Sequence, residues 1–447
     1  MLFRSGQVCH GKFEIIHKRV TDLSLHPWKS DLDWRNAQGT TRGGRWCDIV
    51  GEPAHLIAAI FAMIMEPIST ATASVGFTTL CVVAGLRVPV LWPIWRRMFG
   101  QTWIKLLLLW IVWTAISIAW SPDRHVGVDR LWHIKFFAWL PLLWPLHRYW
   151  KWLFGGFLFS TMVLQGIQIS GEFFGATYKD ASIASGMRHP TMAGMWNAIA
   201  LSCWLFLSVS AGWRVLFLSI PMAALSAFGF FWAGQRAALV GILIEIALAN
   251  IILGVVAKGW IRKAITRGAI GILILGVVYF VAGARMTAKI EQVSKETTQS
   301  LRGDAPEIIE CRIAMWKMSL IAWEKSPLLG VGLGGYRKAT AEIDVGYKRE
   351  NIHSYDTSHS TYIMILTESG IVGLGLFLVW GVAFFVRAIV CLRADPARIG
   401  AFGGTIIWFS AGAFDSFHTR GVFLTVGVIM IALAVMPRTT RSTTSLT

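Results

Sequence analysis

The chain has 447 residues, 55% of them hydrophobic and only 15% charged, with a formal net charge of +17 and a mean hydropathy of +0.55. Soluble globular chains carry about 25% charged residues, so this balance excludes a soluble protein and points to one that lives in a bilayer. Most of the positive excess lies in short segments between apolar runs, which reads as membrane topology and lipid headgroup contact and not as a nucleic-acid surface.

Residues 1–53 are mixed in charge and lack the apolar core of a signal peptide, so a cytoplasmic N-terminal tail is expected there. A membrane span needs roughly 20 mainly apolar residues. By that rule the chain supplies about twelve, near 54–68, 70–86, 103–121, 131–146, 150–173, 191–210, 214–233, 236–257, 267–284, 360–386, 399–415 and 420–436. The expected fold class is therefore all-α and polytopic. Transmembrane helices one to nine fill 54–284, a large extramembrane loop with helices of its own spans 285–359, helices ten to twelve fill 360–436, and 437–447 form a second cytoplasmic tail.

Orientation follows from Lys and Arg. With the N-terminus inside, the short inner segments hold Arg87, Arg96, Arg97, Arg148, Lys151, Arg214, Lys258, Arg262, Lys263, Arg267, Arg387, Arg393, Arg398, Arg438 and Arg441. The outer loops hold Arg124, Arg130, Lys179, Arg188, Arg236 and Arg420. The bias puts both termini inside and the loop 285–359 outside. The 23 tryptophans fit aromatic belts at the two interfaces. Within the loop, Ile309, Ile313, Trp316, Leu320 and Trp323 recur at helical spacing, and Pro327 ends that pattern. The segment "PLLGVGLGGY" after it lacks the Lys-Ser/Thr of a phosphate-binding loop and reads as a turn. Cys9, Cys47, Cys81, Cys203, Cys311 and Cys391 form no C-x-x-C pair, so no zinc or redox site is expected.

Polar groups gather on the outer face. "SGMRHPTMAG" carries Arg188 and His189, "AGQRAALVG" carries Gln235 and Arg236, and the loop helix carries Arg312. "NIHSYDTSHSTY" brings His353, Tyr355, Asp356, His359 and Tyr362, and "DSFHTR" adds Asp415, His418 and Arg420. An arginine at or below the interface, as Arg236 must be, is costly unless it is paired, snorkels to headgroups or faces a polar cavity. Several guanidinium forks on one face suit an anionic ligand such as a phosphate. His359 is either a polar interface residue or a general base, and a neutral imidazole can accept a proton near neutral pH. No carboxylate cluster or H-E-x-x-H accompanies His353 and His359, so no metal is expected. Glu245, within an expected span, reads as a buried hydrogen-bonding residue.

Two stretches carry a family resemblance. "RIAMWKMSLIAWEKSPLLGVGLGGY" followed by "HSTYIMILTESGIVGLGLFL" resembles the signature of the O-antigen ligase and polymerase superfamily of membrane glycosyltransferases. The matching positions are Arg312, Trp316, Pro327 to Gly332, His359, Ser360, Tyr362, Glu368, Gly370 and Gly373, with Ile363 where leucine is usual. "RHPTMAG" resembles the family's H-P-N motif with Thr191 in place of asparagine, and "GQRAALVG" its S-R segment with Gln235 in place of serine. The resemblance covers roughly residues 55–436.

It implies a periplasmic active site in the inner membrane and a glycan donor on undecaprenyl pyrophosphate. The acceptor would be the lipid A-core for a ligase, another lipid-linked repeat for a polymerase, or a Ser or Thr for the longer protein-glycosylating relatives. Ligase is the favoured expectation, polymerase the alternative, and a lipid-linked glycan transporter the competing class. The implied base is His359, with Arg188, Gln235, Arg236, Arg312, Tyr355 and Tyr362 on the pyrophosphate or glycan, and neither metal nor cofactor is implied. The "DLD" at Asp31–Asp33 has the spacing of a metal-binding glycosyltransferase motif but lies in the tail, on the wrong side.

Overall fold

A computed structural model of the protein describes residues 42–174, 190–210, 213–233, 235–256, 307–345, 357–416 and 421–437, with isolated residues between 262 and 295. The chain divides into a large unit, Glu52–Arg438, and a small one made of Met1–Gly51 with Thr439–Thr447. Of the small unit only 42–51 are described, and they are helical. Among the described residues all regular structure is helical, which is the expected all-α class.

In chain order the helices are α1 (Arg42–Met65), α2 (Thr70–Leu86), α3 (Val88–Phe99), α4 (Thr102–Ile116), α5 (Arg124–His133), α6 (Trp139–Leu143) and α7 (Trp150–Phe174). Then follow α8 (Pro190–Ser210), α9 (Trp213–Ala233), α10 (Arg236–Val256), α11 (Glu307–Glu324), α12 (Tyr336–Thr340), α13 (Thr361–Ala394), α14 (Ile399–Ala411) and α15 (Gly421–Val435). Among the described residues four helical runs are long and apolar enough to cross a membrane, Thr102–Trp120, Arg124–Gly171, Thr191–Ser208 and Thr361–Ala394. The pair α2 and α3 passes the same test together, but it is bent by 100°. Val50–Met65, Val215–Phe231, Ile399–Ala411 and Phe423–Val435 are shorter apolar helices.

One expected span differs from what is found. Residues 131–146 do not form one helix. They hold the end of α5, a 3-10 segment Ile134–Ala138, α6 and the start of a second 3-10 segment, Trp144–Tyr149. Pro141 and Pro145 supply no N–H to an α-helical ladder, and Leu146 leaves helical geometry at φ −90°, ψ 16°. The expected span 267–284 falls largely outside the described residues.

The sharp corner between α2 and α3 is Arg87, which caps both helices at φ −102°, ψ 5°. Its buried guanidinium meets His55 Nδ1 on α1 at 2.8 Å, so the corner is tied to the preceding helix. The start of α2 is fixed by a reciprocal capping box: Thr72 N–H donates to Ser69 Oγ at 3.1 Å and Ser69 N–H to Thr72 Oγ1 at 2.9 Å.

The core is built around α15, whose residues from Phe423 to Val435 are all buried. A helix apolar all round must be enclosed by others, and α15 packs on α14, α13, α8 and α6. An aromatic stack joins α4, α13 and α14. Trp110 lies parallel to Trp380 at 6.3 Å, and Trp380 and Phe384 both touch the Phe409 ring, at 5.6 and 6.1 Å. Each such pair contributes roughly 0.5–1.5 kcal/mol beyond area burial. The tryptophans are thus not all belt residues: Trp92, Trp132 and Trp152 are exposed, whereas Trp110, Trp139, Trp144, Trp196 and Trp380 are core.

Glu245 is fully buried on α10 where that helix meets α14. A Cβ added at Gly403 would come within 2.9 Å of its Oε1 and 2.8 Å of Ser202 Oγ. Glycine at 403 is what lets α14 approach this polar spot.

Candidate active site

The site begins where α13 begins. Ser360 caps the helix, its Oγ accepting from Ile363 N–H at 3.4 Å. The residue before it, His359, has φ +50°, and it is the only non-glycine residue with positive φ among the described residues. That conformation is uncommon for a side chain with a Cβ, though histidine is among the residues enriched there, and such outliers gather at functional sites.

The turn after α14 reaches the same point. Thr361 N–H donates to the carbonyls of Gly412, at 2.7 Å, and Asp415, at 3.0 Å, and Thr361 Oγ1 donates to the Asp415 carbonyl at 2.8 Å. These bonds fasten the first residue of α13 to the turn 412–416. As a result the Asp415 carboxylate lies 3.7 Å from His359 Nδ1. Asp415 is buried, its Oδ1 also accepting from Ser416 N–H at 2.8 Å. The His359 side chain keeps 21% of its surface open. At 3.7 Å the carboxylate is a neighbour of one ring nitrogen and not a hydrogen-bonded partner, and the ring keeps an accessible side.

Helix α11 closes on this pair from a third side. Arg312 Nη1 donates to the Phe414 carbonyl at 3.3 Å, and Trp316 Nε1 to the Ser358 carbonyl at 2.9 Å. The spacing i, i+4 puts both on one face of α11. One grips the residue before Asp415, the other the residue before His359. The helix expected over 309–323 is present, but the apolar stripe does not all face inward. Met315, Met318 and Ala322 pack with Ile343, while Ile313 and Leu320 are 42% and 39% exposed. Small residues decide the buried face, because Thr367 Oγ1 on α13 approaches close enough to donate to the Ser319 carbonyl at 3.3 Å.

The glycine-rich segment 327–335 is a turn, as its sequence predicts, and its role is structural. α13 is broken at Gly370, where φ is 67° and ψ −172°. The break frees backbone groups that the segment satisfies. Val331 N–H and Gly332 N–H donate to the carbonyls of Thr367 and Glu368 at 2.9 and 2.8 Å. In return Ile371 N–H and Val372 N–H donate to the carbonyls of Pro327 and Leu328 at 2.9 and 3.4 Å, and Trp113 Nε1 takes the Ser369 carbonyl at 3.0 Å. A buried helix break without such partners would lose a full desolvation penalty at each group.

The Glu368 side chain, 1% exposed, anchors the same assembly. It pairs with Arg130 of α5 and accepts from Gly334 N–H at 3.0 Å and Tyr336 N–H at 3.4 Å. Gly127, one turn before Arg130, lies so close to the segment that an added Cβ would meet the Leu333 carbonyl at 2.5 Å. Burial pushes the Tyr336 phenol up to about 12. Arg130 is the important residue that sequence reasoning assigned only to a loop. The signal was a lone arginine three residues after a glycine in "GVDRLW".

The other expected site residues divide. Gln235 is buried, and among the described residues neither its Oε1 nor its Nε2 has a hydrogen-bond partner. A Cβ added at Gly194, near the start of α8, would come 2.8 Å from its Cβ, so "RHPTMAG" and "GQRAALVG" do meet. Arg236 opens α10 and its side chain is exposed. The Tyr362 hydroxyl donates to the Phe409 carbonyl at 2.8 Å and its ring meets Phe377 edge-on at 5.9 Å, which is helix packing. Arg188 and Tyr355, with His189, His353, Asp356, His418 and Arg420, lie outside the described residues. Among the described residues no three or more His, Cys, Asp or Glu gather into a metal-binding group.

A helical membrane protein with a histidine–carboxylate pair at the mouth of a broken helix, gripped by an arginine-bearing helix, is the class these elements define. Residues 221–378 match the family model described as O-antigen ligase, which supports the resemblance to the O-antigen ligase superfamily. The matched stretch contains Gln235, Arg236, Arg312, the glycine-rich segment, His359 and Glu368. No curated protein matches the chain.

Proposed function

We propose that the protein is an O-antigen ligase of the bacterial inner membrane. It moves a glycan from undecaprenyl pyrophosphate to the lipid A-core oligosaccharide at the periplasmic face. The observation that carries the reading is the His359–Asp415 pair at 3.7 Å with Arg312 bonded to the adjoining Phe414 carbonyl. A histidine and an arginine around one turn support the reading, because a sugar transfer with an anionic leaving group needs a base and a cation. The family match supports glycan chemistry on lipid-linked substrates.

The acceptor hydroxyl oxygen attacks the anomeric carbon. The bond from that carbon to the pyrophosphate oxygen breaks, and its electron pair leaves with the pyrophosphate. The hydroxyl proton passes to a ring nitrogen of His359. Asp415 stands at Nδ1, so it favours the tautomer with the proton on Nδ1 and leaves Nε2 to accept. Such a base typically contributes about 10²–10⁴-fold.

Charge growing on the leaving group is met by guanidinium groups, with Arg312, Arg188 and Arg236 as the proposed donors. Arg312 spends one N–H on Phe414 and keeps the others of its fork for phosphate oxygens. Gln235, buried with an unpartnered amide, and Tyr355 complete the proposed contacts. Tyr362 is left out because its hydroxyl proton is already donated to Phe409. Direct attack from the face opposite the leaving group inverts the anomeric centre. The activated pyrophosphate makes an external energy source unnecessary, and the arginines stand where other transferases use a metal.

A deletion strain tests the reading by its lipopolysaccharide gel profile. Loss of a ligase leaves core without O-chain while lipid-linked polymer accumulates. Core bearing a single repeat would instead assign the protein as a polymerase, and unchanged lipopolysaccharide would overturn both.

A further inference from the structure

We propose that α3 is a surface anchor lying in the plane of the membrane, where Arg96 and Arg97 bind the phosphates of anionic lipid headgroups. The position follows from α4. Near its start Trp103 touches Phe384 of α13 at 6.0 Å, and near its end Trp113 bonds the Ser369 carbonyl. Phe384 is about 20 Å beyond the break at Gly370 along α13. The start of α4, and α3 just before it, therefore stand at the far end from the break at Gly370. The inference is independent of which face is periplasmic.

The geometry of α3 fits a helix that lies on a membrane and does not cross it. It has 12 residues, about 18 Å of helix against a hydrocarbon core of about 30 Å, and it turns 100° from α2. Its inner side is committed: Leu91 and Met98 are fully buried, and Trp95 Nε1 donates to the Pro141 carbonyl at 2.7 Å. Its outer side runs from apolar to basic. Val88, 40% exposed, Trp92, 58% exposed, and Arg96 form one i, i+4 stripe, with Pro89, Pro93 and Arg97 beside it, all exposed.

Tryptophan favours the level of the headgroups, and arginine reaches from there to phosphate. No Asp or Glu occurs between Glu66 and Asp123, so this stretch brings no carboxylate of its own to the two guanidinium groups. The last turn of a helix, where both sit, also favours positive charge.

The test uses the full chain and two readouts. Native mass spectrometry with added phosphatidylglycerol should show the Arg96→Gln, Arg97→Gln double variant binding that lipid about tenfold more weakly than wild type. Phosphatidylcholine binding should be unchanged, and Arg393→Gln, an exposed arginine off α3, should behave as wild type. Unchanged phosphatidylglycerol binding in the double variant, or an equal loss for both lipids, overturns the assignment of the arginines. In vesicles, a fluorophore on Trp92→Cys should be quenched by lipids brominated near the headgroup. Quenching only by bromines deep in the chains would make α2 and α3 a broken span. Quenching only by aqueous iodide would place this face in water, and either result overturns the in-plane anchor.

Discussion

His359 combines a strained backbone, partial access to solvent and a buried carboxylate at 3.7 Å. Each residue around it has a separable role, which fixes what substitution should do. His359→Ala should abolish transfer, losing about 10²–10⁴-fold in turnover, while lipid-linked donor binding stays close to wild type, because a base acts mainly in the transition state. Asp415→Asn should keep donor binding too and lower turnover on the order of 10²-fold or more. Arg236→Ala should weaken donor binding and turnover together, and Arg236→Lys should rescue only part, since an ammonium cannot reproduce the fork. Donor binding and single-turnover rates at matched expression check all three. Loss of donor binding in His359→Ala with turnover kept at saturating donor would make His359 a positioning residue. Glycan transfer by the purified protein should also persist in excess chelator. Activity lost there and restored by one divalent ion would remove the arginines as the main charge stabilisers.

The glycine-rich segment and the break in α13 form one device at the scale of elements. The segment supplies hydrogen bonds that the break leaves open, and the break is possible because Gly370 adopts a region that is essentially glycine-only. Gly370→Ala should cost about 1–3 kcal/mol in backbone strain alone, and its Cβ would meet the Leu328 carbonyl at 2.1 Å. Gly375→Ala, in the same helix with nothing within 4 Å, should be neutral or slightly stabilising. Thermal unfolding in detergent compares the pair, and equal melting temperatures would refute the strap. Arg130→Met leaves the Glu368 carboxylate buried without its cation, a change that typically costs about 3–5 kcal/mol. Glu368→Gln in the same background should recover part of that loss, because it removes the stranded charge. A double variant no more stable than Arg130→Met would show that the pair is not what holds α5 to the segment.

For the molecule as a whole, the candidate base precedes the first half of α13, which folds back at Gly370, and the exposed Arg393 lies in the last turn of its second half. If the proposed orientation holds, an exposed residue near the base and one at the far end of that helix differ in access. A Glu342→Cys variant, in a background without other cysteines, should react with a membrane-impermeant maleimide from outside the inner membrane. Arg393→Cys should react only once that membrane is opened. The reverse pattern would overturn the periplasmic assignment of the site.

Much of this was legible in the chain itself. Apolar runs marked the positions of α4, α8, α9, α10 and α13, because a backbone in lipid must satisfy its own hydrogen bonds. The motif residues Arg312, Trp316, His359, Glu368 and Gly370 marked the site because each is of a type that an apolar helix does not need. Local sequence also set the breaks, through Pro141, Pro145 and the glycines of 327–335. Tertiary structure alone decided the partners. The Asp415 carboxylate reaches His359 through bonds between Thr361 and the turn after α14, and Arg130 finds Glu368 across 238 residues of chain. It also decided which tryptophans are core and which face of α11 is inward, since small residues and close backbone approach outrank the apolar stripe. Periodicity reports what one helix could bury, whereas the neighbouring helix determines what it does bury.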